Sequence, residues 1–454
     1  MLGELLIPEI RELVAARRYR ELRDQMLALE PADLAEIIDD LHGEDLVVVF
    51  RLLPKALATE VFEHLDRPGQ EALLRGLKSE TVRALLEEMS ADDRTALLED
   101  LPPDVAGRLL EMLSPEERVV AQALLNYPEE SVGRLMTPDF IYLRQNRTVR
   151  KALEKIRRVG ADRETVYDLY VVDRDRKFIG HVPLSRLVTT PLDTLVSEIV
   201  EPEAPRIQTH ADREQAAEML RHYDLTALPV VDRDDRLVGI VTVDDIMDVV
   251  EAEHTEDVQL QAAVLPDEAS YLTATIGSLA RRRFPWLLAL LTAEMAGAIL
   301  LQRYNQLLEA AIALAFFLPV MIATGGNTGT QSAALLIRAL ATGEVSLSDW
   351  ARLLLRDLAV GLLLAALLGA AAFGMALLVQ GDPLIGLCVA SGLVAIVLMA
   401  NLAGTVLPLL FKRLRMDPAL MSGPFISTLV DIAGLVLYME ISILILRHLG
   451  QPVG

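Results

Sequence analysis

The stretch "PFISTLVDIAGLVLYMEISIL", Pro424 to Leu444, is apolar almost throughout and long enough to cross a bilayer as one helix. It carries one carboxylate in its first half, Asp431, and a second, Glu440, nine residues later. An ionised carboxylate in hydrocarbon is expensive, so Asp431 is expected to face something other than lipid. Ser427, Thr428 and Gly434 stand at i−4, i−3 and i+3 and share its helix face, which makes that stripe small and polar. Glu440 and Glu294 are weaker cases, each compatible with a place near an interface.

Working outward, five apolar segments follow Arg283: Phe284–Leu301, Leu307–Ala323, Leu358–Val379, Leu384–Leu410 and Ala419–Leu446. Each approaches or exceeds the ~20 residues a spanning helix needs. With the soluble half in the cytosol, the inner ends hold nine Lys and Arg: Arg281, Arg282, Arg283, Arg338, Arg352, Arg356, Lys412, Arg413 and Arg415. The outer ends hold two, Arg303 and Arg447, as the positive-inside rule requires. Five spans then leave the C-terminus outside. Small residues four apart (Ala293/Gly297, Ala365/Gly369, Gly386/Ala390, Ala400/Gly404) predict closely packed helices. The segment "GGNTGTQ" at 325–331 is expected to be irregular, exposing carbonyls where protein or water covers them. Pro319 and Pro424 are expected to loosen the helices near them.

The charge of the 454-residue chain is divided unevenly. From Arg281 onward there are 11 Lys and Arg against 9 Asp and Glu; before it, 32 against 56. An acidic soluble body of this size argues against nucleic acid as a partner and attracts cations. The single cysteine, Cys388, allows no disulfide within the chain and no Cys-based zinc site. No phosphate loop, nucleophile elbow or His-x-x-x-His pair occurs, so an enzyme is not expected. "MLGELLIPEI" is too short and acidic for a signal peptide.

Residues 1–128 read as helices with a loose repeat: "PADLAEIIDDL" from Pro31, "PKALATEVFEHL" from Pro54, "KSETVRALLEEM" from Lys78 and "PPDVAGRLLEML" from Pro102. Each unit is a helix followed by a shorter one, which predicts a small all-α superhelix. In 129–250 two copies of another unit appear, "DLYVVDRDRKFIGHVPLSRLV" (168–188) and "ALPVVDRDDRLVGIVTVDDIM" (227–247). Each has a β-branched strand, a turn of Asp and Arg, a second strand and a helix start. This duplicated β-α-β-β-α pattern resembles a pair of CBS domains, regulatory modules that often bind adenine nucleotides. Thr242 and Asp245 in the second copy match that family's ribose/phosphate position; the first copy, Pro183 to Arg186, lacks both residues. Residues 251–280 are expected to form a linking helix. Asp248, Glu251, Glu253, Glu256 and Asp257 make an acidic run there, usually a solvated face but also suited to a divalent cation.

The order of helical N domain, CBS pair, linking helix and five spans (281–454), with "GGNTGTQSAALLIRAL" and "DPALMSGPFISTLVDIAGL", resembles the MgtE family of magnesium channels along essentially the whole chain. The resemblance implies a homodimer in the plasma or inner membrane, with cytoplasmic N-terminal domains. It implies magnesium-selective uptake, shut by cytosolic Mg2+ and with ATP as a further ligand of the CBS pair. Carried over by position, the pore residues are Asp431 and Gly434. The sensor acids are Glu60 and Asp92; Asp212, Glu214, Asp224, Asp245 and Asp248; Glu253, Glu256 and Asp257; and Asp417. Gln331 matches the family. Gly423 replaces an Asn before Pro424, Thr330 stands where some members have Asn, and Ala96 replaces an acid, which implies a weaker site near Asp92. The competing readings are a proton-coupled divalent-cation secondary transporter regulated by a CBS nucleotide sensor, and a membrane-anchored sensor without transport.

Overall fold

A computed structural model describes residues 2–266 and 274–449. It divides into two compact units, one up to Val250 and one from Glu251 onward.

The first unit begins with ten helices: α1 (Leu2–Ala15), α2 (Tyr19–Met26), α3 (Pro31–Asp39), α4 (Glu44–Phe50), α5 (Lys55–Glu63), α6 (Arg67–Gly76), α7 (Ser79–Glu88), α8 (Ala91–Asp100), α9 (Pro103–Met112) and α10 (Pro115–Leu125). The four repeat starts open α3, α5, α7 and α9, and each is followed by a second helix, which is shorter than the first only in the opening unit and otherwise as long or longer. Proline at the first turn starts α3 and α9, where a missing N–H is harmless. Their apolar faces build one core around Leu34, Ile37, Ile38, Phe50, Phe62 and Leu73.

The CBS-like part follows α11 (Val132–Leu135): β1 (Tyr142–Arg144), α12 (Val149–Val159), β2 (Asp168–Val172), β3 (Phe178–Pro183) and α13 (Leu184–Thr189). The second copy is β4 (Ile207–Gln208), α14 (Arg213–Tyr223), β5 (Ala227–Val231), β6 (Leu237–Thr242) and the start of α15 (Val243–Gln261). In each copy the first pair of strands is parallel and the second antiparallel, with a register shift at Val171/Val172 and at the equivalent Val230/Val231. The turns are duplicated too. Asp173 Oδ1 accepts from the N–H groups of Asp175 (2.8 Å) and Lys177 (2.9 Å); Asp232 Oδ1 accepts from Asp234 and Arg236, both at 2.9 Å. Ala91 and Leu124 of the N-terminal helices enter the core of the second copy, beside Val132, Leu228 and Ile246.

The linking segment differs from the expected single helix over 251–280. Helix α15 starts earlier, at Val243, and ends at Gln261. Ala263 turns left-handed (φ 58°) and Val264 N–H donates to Gln259 O at 2.9 Å, which closes the end of the helix. Residues 267–273 of the expected helix lie outside the described residues.

The second unit continues with α16 (Ile276–Gln302), α17 (Asn305–Ala310), α18 (Ala313–Ala341), α19 (Trp350–Gln380), α20 (Pro383–Arg413) and α21 (Gly423–His448). Among the described residues, four helices are long and apolar enough to cross a membrane by length and composition: α16, α19, α20 and α21. The expected second span breaks at Ala311 and restarts as α18, whose 29 residues suffice in length but whose polar segment dilutes its apolar run.

That polar segment is regular helix, against the expectation of exposed carbonyls. Glycines there serve proximity. A Cβ on Gly325 would lie 2.6 Å from Ile396 Cγ2, and one on Gly329 3.0 Å from Ile426 Cγ2. A Cβ on Gly404 of α20 would lie 2.5 Å from Gly329 O and 2.8 Å from Ser332 Cβ. Pro424 does not loosen α21 either; it sits in the first turn, behind the N-cap Ser422, whose Oγ accepts from Phe425 N–H at 3.3 Å.

Gly404→Ala is expected to destabilise the helical unit by about 1–3 kcal/mol, read as a lower Tm of the full chain in detergent. Gly374→Ala, where a Cβ meets nothing within 4 Å, should leave Tm unchanged or slightly raised.

Candidate functional site

Three places carry the chemistry. The first is Asp431, in the first half of α21 and partly buried. Ser427 Oγ donates to its Oδ2 at 3.4 Å, while Oδ1 is buried without a hydrogen-bond partner. Gly326 of α18 packs over this pair: a Cβ there would lie 2.3 Å from Ser427 Oγ and 3.3 Å from Asp431 Oδ1. Gly434 faces Ile396 of α20, where a Cβ would stand at ordinary van der Waals distance, 3.4 Å from Ile396 Cγ1. Asn327 and Gln331, one turn apart on α18, are exposed; Thr328 is buried and donates to Thr324 O at 2.8 Å. Glu440 is engaged elsewhere, accepting from Tyr304 Oη at 2.8 Å.

The second place lies between the N-terminal helices and the second CBS copy. Asp92 and Asp93 occupy the first turn of α8, where the helix dipole favours negative charge. Ser90 N–H donates to Glu63 Oε1 at 3.1 Å and Ser90 Oγ to Asp93 Oδ2 at 2.7 Å. Asp92 is 7% exposed, and its Oδ1 has no partner. Burial, then the neighbouring charges of Asp93 and Glu164, push Asp92 up to about 7. Burial and Asp92 push Asp245 up to about 8, although Thr242 Oγ1 donates to its Oδ2 at 2.5 Å. Burial and Asp93 raise Glu63 to about 7. Of the acids predicted from sequence, this place joins Asp92 and Asp245. Glu63, Asp93, Glu164 and Asp244 went unpredicted. Glu60, one turn before Glu63, is exposed, as is Ala96.

The third place is the end of α15. Burial and the nearby charges of Asp417 and Glu253 raise Asp257 above the ordinary carboxylate range. Asp417 caps the turn before α21, accepting from Ala419 N–H at 2.8 Å. Glu256 lies beside Asp257 and is partly buried. The remaining predicted acids stand apart. Asp212 caps α14, accepting from Glu214 N–H at 2.9 Å, whereas Asp224 ends that helix in a left-handed conformation (φ 51°). Eleven residues of helix separate the two ends by roughly 16 Å. Asp248 is exposed on α15. Among the described residues, no three His, Cys, Asp or Glu side chains form a metal-ligating group.

A buried network in the helical unit also went unpredicted. Thr405 donates to the Asp357 carboxylate, and Asn401 Nδ2 donates to Asp357 O at 2.7 Å. Ser332 Oγ donates to Asn401 O at 3.2 Å. These contacts tie α18, α19 and α20 together. Asp357 follows Arg356 at the start of an apolar run, so nothing in the sequence separated it from an interface charge.

Family models match along the chain: MgtE divalent cation transporter at residues 318–441, MgtE intracellular N domain at 29–130, and CBS domain at 132–192 and 196–252. The magnesium transporter MgtE of Thermus thermophilus is 41% identical over 98% of this chain and 99% of its own length. The chain belongs to the MgtE family. The MgtE proteins of Enterococcus faecalis (35% identity, 73% of each chain) and Bacillus subtilis (32%, 96% of each) carry the same name. A crystal structure of the cytosolic domain of the Mg2+ channel MgtE in complex with ATP matches 53% of this chain and 98% of its own, at 39% identity and TM-score 0.51. The soluble part of a magnesium transporter matches 55% and 99%, at 30% identity and TM-score 0.52. These MgtE relatives are named as transporters or channels, not enzymes.

The raised carboxyls fix the sign of a pH effect. The folded chain keeps protons on Glu63, Asp92 and Asp245 that the unfolded chain releases, so stability falls as pH rises from about 4 to about 8. Thermal unfolding of the protein in EDTA should show Tm falling across this interval, and Asp92→Asn should flatten the slope. A Tm that climbs through the same interval would contradict the acid cluster.

Proposed function

We propose that this protein is a homodimeric magnesium channel of the plasma or inner membrane, admitting Mg2+ down its gradient and shutting when cytosolic Mg2+ is high. The observation that carries this reading is Asp431: one partly buried carboxylate with an unpartnered oxygen, on a stripe of Ser427, Thr428 and Gly434. The names of its full-length relatives support magnesium as the ion. Mg2+ sheds its water shell reluctantly and usually meets proteins through one or two carboxylates and water. Two copies of Asp431 on a twofold axis would supply that, with hydroxyls around them for the retained shell. The charge asymmetry of the sequence supports five spans, from α16 and α18 to α21, with the N-terminal domains in the cytosol and the C-terminus outside.

Gating is assigned to the acids. Glu60, Asp92, Asp212, Glu214, Asp224, Asp245, Asp248, Glu253, Glu256, Asp257 and Asp417 form the sensor, with Glu63 and Asp93 added. The unpartnered Asp92 oxygen and the crowding of Asp257 by Asp417 and Glu253 fit a divalent counter-charge. Bound Mg2+ supplies positive charge that offsets their repulsion. Helix α15 runs unbroken from Asp245 to Asp257, so the two acid groups are joined along one helix. Regulation of this kind requires tighter Mg2+ binding to the shut arrangement than to the open one. Thr242 and Asp245, paired as hydroxyl and carboxylate, offer a ribose site for ATP, as the solved relative's ligand supports.

Reconstituted liposomes loaded with a Mg2+-sensitive dye test the pore. Wild type should admit Mg2+, and Asp431→Ala, folded and inserted, should fall to the level of empty liposomes. Flux that ignores an imposed proton gradient supports a channel; flux that follows it makes the protein a proton-coupled transporter. For gating, millimolar Mg2+ should protect α15 from protease, and Asp245→Ala or Glu256→Ala should weaken that protection. Identical cleavage with and without Mg2+ would remove the sensor role.

A further inference from the structure

Thr330 of α18 and Gly423 of α21 meet in the fold. Thr330 Oγ1 donates to Gly423 O at 3.2 Å. A Cβ on Gly423 would lie 2.9 Å from Thr330 Cγ2, so the threonine methyl already fills the space a side chain would need. On the other side of that Cβ, 3.9 Å away, is Gln261 O, the last residue of α15. Its neighbour Leu260 is buried against Ala419, Met421 and Ile426, the residues that flank Gly423. Gly423 is the first residue of α21, the helix that carries Asp431. Three elements therefore meet here: α21 through Gly423, α18 through Thr330, whose methyl leaves no room for a further carbon atom, and α15 through Gln261 at ordinary van der Waals distance.

We propose that Thr330 and Gly423 form a matched positioning contact that seats the end of α15 on the start of α21. In this way they set the cytosolic Mg2+ level at which the pore shuts. The hydroxyl holds the Gly423 carbonyl in place, and a side chain at 423 would press on the Thr330 methyl and displace the start of α21, against which Leu260 of α15 is seated. The second half of this statement rests on the channel reading above.

The test uses the full chain in liposomes and two readouts. Hydrogen exchange of the peptide covering 257–264 reports seating and does not depend on transport. The internal Mg2+ concentration that halves flux reports gating. Gly423→Ala should wedge the seat open, speeding exchange at least about fivefold and raising the half-inhibiting concentration by a similar factor. Thr330→Ser keeps the hydroxyl and removes the methyl, so the double variant Gly423→Ala/Thr330→Ser should return both readouts towards wild type. Thr330→Val keeps the volume and loses the hydrogen bond; it should loosen the seat by itself, and it supplies the reading if Gly423→Ala does not fold. Unchanged exchange in Thr330→Val and in whichever Gly423→Ala protein folds, or a double variant no better than Gly423→Ala, overturns the contact. Altered exchange with an unmoved half-inhibiting concentration overturns its role in gating. Absence of Mg2+ flux in wild type would instead remove the channel reading, leaving the exchange result to judge the contact.

Discussion

The helical unit depends on how closely α18 can approach α20 and α21. Gly325, Gly326 and Gly329 lie against Ile396, Ser427, Ile426 and Val430, and Gly404 faces the Gly329 carbonyl from α20. Without a hydrophobic drive between helices in lipid, such close packing has to come from small residues, van der Waals contact and interhelical hydrogen bonds. The Asp357–Thr405–Asn401–Ser332 network supplies the last of these on another face of α18. Together they hold α18 at a fixed distance from Asp431. A side chain at 326 would press on Ser427 and on the carboxylate itself, so the motif shapes the surroundings of the charge directly.

Repulsion organises the soluble half in the same way that proximity organises the helical one. The acids at the start of α8 and of α15 are crowded enough for their neighbours to raise one another's carboxyls. Burial is the larger cause in each case, because it withdraws the charged form from water. Such a group has two ways to lower its energy: bind a proton or approach a cation. Both draw on the same unpartnered oxygen of Asp92. A cation bound there would compete with protons and release them.

Much of this was legible in the sequence, for reasons that differ by element. The four helical repeats and the two CBS copies were readable because their signals are local: proline at a first turn, an Asp that folds its own turn, a β-branched run. Asp431 stands out in the sequence because a carboxylate in an apolar helix is costly unless it faces protein or water. The acid cluster was only half readable. Asp92 and Asp245 came from resemblance, but Glu63, Asp93 and Glu164 join them through tertiary packing of α5, α8 and the loop before β2, which leaves no periodic trace. The glycine segment was misread because glycine marks irregular backbone and close packing with the same letter. Only the partner surface, here Ile396 and Val430, decides between them.

The carboxylates assigned to the proposed sensor bear on which ion it would suit. Calcium takes six to eight oxygen ligands and binds best where several carboxylates and carbonyls converge. Magnesium keeps several waters and reaches the protein through one or two carboxylates. Asp92 with one free oxygen, and Asp257 beside Asp417, present that sparser arrangement. Asp431 repeats it in the helical unit, with one oxygen held by Ser427 and the other unpartnered. The proposed pore and sensor would then offer similar ligand chemistry: few carboxylates, with an unpartnered oxygen on Asp92 and on Asp431. A sensor built this way responds to the ion the pore admits and discriminates weakly against ions of similar hydration. Selectivity between such ions would therefore fall to the geometry around Asp431, where α18 fixes the space.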